Sequence, residues 1–138
     1  MNTQKILIAG IVGGIFSFLL GFLVFGFLLK DMDPGGFAAI LRPEEDFILW
    51  SMLLSNIFWA LLCSYIFVKW ANINTLQGGA VAGAIIGSLA IASVDFGMYA
   101  TTTLFTLQSV AIDIVINIGM GACVGGFIGW WLGWRSKK

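Results

Sequence analysis

The sequence predicts an all-α integral membrane protein: a single domain of four transmembrane helices with both termini on the cytoplasmic side. Three observations lead there. Hydrophobic residues make up 59% of the 138-residue chain and charged residues only 10%, with a mean hydropathy of +0.99, which is too apolar for a soluble globular domain. The apolar residues fall into four runs, each near or above the roughly 20 residues that cross a bilayer core. Basic residues gather on alternate connections between those runs. The runs are unbroken, whereas a membrane β-strand alternates apolar and polar residues over about 10 positions.

The first helix is expected over residues 6–29. Its apolar run exceeds the roughly 7–15 residues of a cleavable signal core, so it is expected to remain as a spanning helix. Asparagine rather than glycine follows Met1, so no myristoylation signal precedes it. Residues 30–46 read as a short acidic loop, with DPGG and RPEED as turn signals. The remaining helices are expected over 47–68, 79–105 and 110–134.

Charge sets the orientation. Lys5, Lys69, Arg135, Lys137 and Lys138 fall on one side of this threading. The other side has Lys30 and Arg42 with Asp31, Asp33, Glu44, Glu45 and Asp46. The positive-inside bias makes the first side cytoplasmic. Trp70, Trp130, Trp131 and Trp134 then anchor the inner interface, and Trp50 and Tyr99 the outer one.

Glycine recurs at every fourth position. Gly79, Gly83 and Gly87 form one series; Gly121, Gly125, Gly129 and Gly133 form a longer one. Small residues at this spacing leave a groove into which a partner backbone packs closely. Helix one has a shorter ridge at Gly13, Ser17 and Gly21, beside Gly10 and Gly14, while helix two has no glycine. Helices one, three and four are therefore expected to form the close-packed core, with the bulky side chains of helix two around it or facing lipid. The same seams suit a homodimer or a larger membrane complex.

Asp95 is the costly residue. A central aspartate costs about 2.5–3.5 kcal/mol on insertion scales, and each large aliphatic or Phe residue returns about 0.3–0.6. The return from Val81, Ile85, Ile86, Leu89, Ile91, Val94 and Phe96 about cancels that cost, so helix three depends on neighbours that shelter the carboxyl. At about 100° per residue, Ser88, Asp95, Tyr99 and Thr102 share one face, about 80° from Gly87. Asp113 and Asn117 stand four residues apart on the ridge that continues into Gly121 and Gly125. With Thr101, and with Asn56 and Ser17 nearer the middle, they suggest a polar pocket open to the outside.

Two readings follow. In one, the pocket around Asp95 and Asp113 binds or passes a small solute or proton, since intramembrane acids are functional by default. In the other, the chain is a structural or accessory protein assembling through its glycine seams, and the threonines satisfy their own helix end. The chain has no histidine, and Cys63 and Cys123 are expected as buried thiols. It offers no nucleophile and base pair, metal cluster or phosphate loop, so no enzyme is expected. No cofactor, metal or nucleic-acid partner is expected; the partner is the bilayer.

The segment VDFGMYATTTLFTLQSVAIDIVIN, residues 94–117, with Asp95, Ala100, Thr101, Leu107 and the pair Asp113 and Ile114, resembles the last two helices of small bacterial four-helix membrane proteins of the domain of unknown function 2177 type. Length and glycine-rich helices are also similar to the 1761 type. The resemblance covers the C-terminal half. It implies a multipass protein of the bacterial cytoplasmic membrane and carries no activity.

Overall fold

A computed structural model describes residues 2–28 and 42–138. Met1 and residues 29–41, which include Leu29 of the first expected helix and Lys30, Asp31 and Asp33 of the expected acidic loop, lie outside the described residues. The described residues form four long helices and no strand: α1 (Asn2–Leu23), α2 (Leu49–Tyr65), α3 (Leu76–Thr101) and α4 (Leu107–Ser136). α1 and α2 each run on into a π-helical turn, Val24–Leu28 and Ile66–Ala71. All four are long and apolar enough to cross a membrane.

Several ends differ from the hydropathy reading. α3 starts three residues before Gly79 because Thr75 caps it, the Thr75 Oγ1 accepting from the Gly78 N–H at 3.0 Å. It stops at Thr101 rather than at 105. There the hydroxyls of Thr101 and Thr102 donate to the carbonyls of Gly97 and Met98 at 2.8 and 2.7 Å, closing off the last turn. α4 begins at a reciprocal cap. The Thr106 Oγ1 accepts from the Ser109 N–H and the Ser109 Oγ accepts from the Thr106 N–H. The π-helical turn that follows α2 ends at Asn72, whose left-handed φ of 53° caps it.

The helices alternate in direction. Gly10 and Gly14 of α1 lie against Leu61 and Ile57 of α2, Gly79 and Gly87 of α3 lie against Gly125 and Asn117 of α4, and Gly13 of α1 lies against Ile128 of α4. The start of α1, the 72–75 turn and the end of α4 therefore share one end of the bundle, and the 102–106 connection and the start of α2 share the other.

The tightest seam joins α3 to α4. A Cβ on Gly79 would meet the Gly125 carbonyl oxygen and stand 3.1 Å from Gly129 Cα; one on Gly83 would meet the Gly121 carbonyl and stand 2.8 Å from Gly125 Cα. The reverse holds for Gly121, Gly125 and Gly129, and Gly133 is pressed on the Asn74 carbonyl. Both glycine series thus face each other within one chain, at a backbone separation that no side chain permits.

The packing of helix two departs from expectation. It forms one wall of the apolar core, not a filler around it. Ala60 and Cys63 of α2 and Phe67 of the turn that continues it are at most 1% exposed, and they meet Ala9 of α1 and Val124, Ile128 and Leu132 of α4. α2 needs no glycine because it supplies the knobs: Ile57 and Leu61 enter the notches at Gly14 and Gly10 of α1, where a Cβ on Gly14 would stand 2.6 Å from Ile57 Cα. α1 reaches α4 through Gly13 and through Phe16, whose ring stacks on Phe127 at 4.3 Å and 5°. Gly21 faces open space, so the α1 ridge ends before it. Cys63 is buried, but Cys123 is exposed. Residue 123 lies about 200° around the helix from Gly121, hence on the side of α4 turned away from the seam.

Candidate functional site

The apolar core occupies the half of the bundle that holds the termini. The polar set lies in the other half. Counting about 1.5 Å per residue from Thr101 and from Leu107, Asp95 and Asp113 each stand roughly 9 Å in from the same end of α3 and α4. The antiparallel seam that pairs Gly87 with Asn117 brings the two carboxyls to one level further along, within reach of a side-chain hydrogen bond.

Asp95 is only 2% exposed, and its Oδ2 has no hydrogen-bond partner among the described residues. Asp113 is half-buried. Its Oδ1 accepts from the Asn117 Nδ2 at 3.0 Å, and the same Nδ2 donates to the Asp113 backbone carbonyl at 2.9 Å. Asn117 therefore fixes the Asp113 carboxyl against its own helix, leaving it to face α3. The result is a short polar chain: Asn117, Asp113, Asp95. Its inner member is closed off from the surface and keeps a free acceptor oxygen. Burying such an oxygen without a donor is costly, and most buried polar atoms in proteins are satisfied.

The other residues singled out in the sequence go elsewhere. Asn56 belongs to a separate contact between α1 and α2: the Ser17 hydroxyl, 3% exposed, donates to the Asn56 Oδ1 at 2.6 Å, and the Asn56 Nδ2 donates to the Met52 carbonyl. The Ser88 hydroxyl donates to the Ile85 carbonyl on its own helix. Thr101 and Thr102 are engaged in closing α3, and Tyr99 is exposed. The stripe of Ser88, Asp95, Tyr99 and Thr102 is thus a stripe by angle only. Asp95 alone among them is turned into the interior.

Two features carry no sequence signal of the kind used above. Ser64 is fully buried in α2 with an unpartnered Oγ; a serine in an apolar run gives no hint of its facing. A cavity of about 300 Å³ lies at the end of the bundle holding the termini, between the 74–76 segment and the face of α4 with Trp130 and Trp134. The sequence marked those tryptophans as interface anchors, which is a statement about depth and not about a hollow between them.

Comparison with protein families, curated proteins and solved structures finds no match to this chain. The likeness of residues 94–117 to the four-helix families named above rests on the quoted residues alone.

Proposed function

We propose that the chain is a multipass membrane protein with both termini in the cytoplasm, and that the Asp95–Asp113 pair is a buried site that holds a proton or a small cation in passage. The aspartate pair then lies in the outer half of the membrane, nearest the 102–106 end. The reading is carried by one observation: Asp95, 2% exposed, retains a carboxylate oxygen with no donor while facing a second carboxyl. Two carboxyls at one level with no basic partner among the described residues are stabilised by a positive charge between them, and a proton or cation supplies it. Membrane insertion is supported by the belt of exposed apolar side chains on every helix, such as Leu19, Phe58, Leu89 and Val115, each at least 60% exposed. The distribution of Lys5, Lys69, Arg135, Lys137 and Lys138 supports the orientation.

The rival is a purely structural staple between α3 and α4, favoured by Asn117, which satisfies half of the pair from within its own helix. Assembly with other copies or partners through the two glycine series would compete with α3–α4 packing, because those glycines face each other inside the chain.

Flux of protons and monovalent cations into proteoliposomes tests the reading. Asp95→Asn keeps the shape and removes the charge. The expected result is a loss of about tenfold or more in flux, with Asp113→Asn reducing it likewise. Unchanged flux in a folded Asp95→Asn protein removes the site and leaves the staple.

A further inference from the structure

At the end of the bundle opposite the aspartates, the cavity of about 300 Å³ is lined by Asn74, Thr75, Trp130, Gly133, Trp134 and Lys137 among others. We infer that this cavity binds the headgroup of an anionic phospholipid; the inference rests on the proposal that the four helices cross a membrane.

The shape comes from glycine. Gly133 is pressed on the Asn74 carbonyl, so the 72–75 turn closes directly onto α4 where both line the cavity. Beside that missing side chain stand Trp130 and Trp134, rings stacked on each other at 6.2 Å and 10°. The volume lies at the small end of ligand sites, about 300–1,000 Å³, which suits a phosphate with its glycerol and not a whole lipid.

The charge comes from the last residues of the chain. Lys137 lines the cavity, and the Lys138 ammonium sits 4.1 Å above the Trp134 ring, held near the rim by the cation–π contact. Among the described acidic side chains none is near them: Glu45, Asp46, Asp95 and Asp113 all stand in the half of the bundle opposite the termini. An anion is the complement. The wall below the rim is apolar, with Leu76 60% and Trp130 46% exposed, so the ligand that matches both is an amphiphile: phosphate at the lysines, acyl chains along Leu76 and Trp130. Basic hollows between helices at the cytoplasmic interface recognise acidic lipid headgroups by this combination.

The test is native mass spectrometry of the full-length protein in detergent with equal phosphatidylglycerol and phosphatidylcholine. Wild type is expected to retain phosphatidylglycerol about fivefold more, the factor for one lysine near an anionic headgroup. Lys137→Gln should abolish that preference, and Lys5→Gln, at the same end but outside the cavity, should keep it. Equal retention of the two lipids, or an equal loss in both variants, overturns the site in favour of diffuse surface charge. Displacement of the lipid by inorganic phosphate at equal concentration overturns the amphiphile assignment. A carbonate wash separates the levels of failure. Protein that stays with the membrane yet shows no lipid preference fails this inference alone, and protein released by the wash fails the membrane proposal beneath it.

Discussion

Asp95 of α3 and Asp113 of α4 meet across the same seam that the glycines of those helices close. The geometry of one depends on the other: the backbones touch at Gly83 and Gly121, and further along the pair of helices the two carboxyls come within hydrogen-bonding reach. A wider crossing would separate the carboxyls and open Asp95 to the surroundings.

The seam should therefore tolerate no side chain. At Gly125 a Cβ would meet the Gly79 carbonyl and lie 2.7 Å from Gly83 Cα, so Gly125→Leu has to move backbone. It is expected to cost at least about 2 kcal/mol of stability by overpacking. Gly119, on the same helix, has nothing within 4 Å of its Cβ position; Gly119→Ala is expected to be neutral or to stabilise by up to about 1 kcal/mol through helix propensity. Unfolding in mixed detergent micelles, followed by circular dichroism, measures both. Equal effects of the two variants would contradict the seam.

Ser17 and Asn56 form the polar link between α1 and α2, at 2.6 Å. A double-mutant cycle on Ser17→Ala and Asn56→Ala is expected to return a coupling of about 0.6–1.7 kcal/mol, the range for hydrogen bonds between membrane helices. The same cycle on Ser17 and Asp95 should return about zero, because Asn56 and Ser17 bond each other and Met52 and not the aspartates. Coupling of Ser17 to Asp95 would restore a single shared polar pocket.

Much of this is legible in the sequence. Four apolar runs gave four helices, and the four-residue spacing of Asp113, Asn117, Gly121 and Gly125 placed them on one ridge of α4. Hydropathy overran the end of α3 because Leu104 and Phe105 are as apolar as the helix before them; transfer free energy does not register that Thr101 and Thr102 have taken over the last carbonyls. Helical angle put Ser88, Tyr99 and Thr102 with Asp95, but an angle names a face and not its neighbour. Only α4, arriving beside Asp95, distinguishes it from the exposed Tyr99 one turn on. The role of helix two was hidden for a similar reason. Glycine spacing reports notches, and Ile57 and Leu61, the side chains that fill those of α1, look like any other apolar residues.

Orientation is open to chemical labelling. In a background with Cys63 and Cys123 replaced by alanine, Lys138→Cys is expected to react with a membrane-impermeant maleimide only after the cytoplasmic side is exposed. Asp46→Cys, at the other end of the threading, should react from outside in intact cells. Both positions reacting from one side would contradict a four-span threading with cytoplasmic termini.

The closest test of the whole account is a cross-link. In the same cysteine-free background, Asp95→Cys with Asp113→Cys is expected to form an intramolecular disulfide under mild oxidation, since the two side chains face each other across the seam and thermal motion of the helices can bring their Cβ atoms to the about 3.5–4.5 Å that the bond needs. A control pair, Asp95→Cys with Val115→Cys, should not close, because Val115 is 67% exposed on the outer face of α4. Efficient closure of the first pair, with Asp95→Cys alone shielded from bulky thiol reagents, is the predicted result. No closure, with Asp95→Cys freely labelled, would mean that the two carboxyls do not share a buried site, and the proposed function would fall with it.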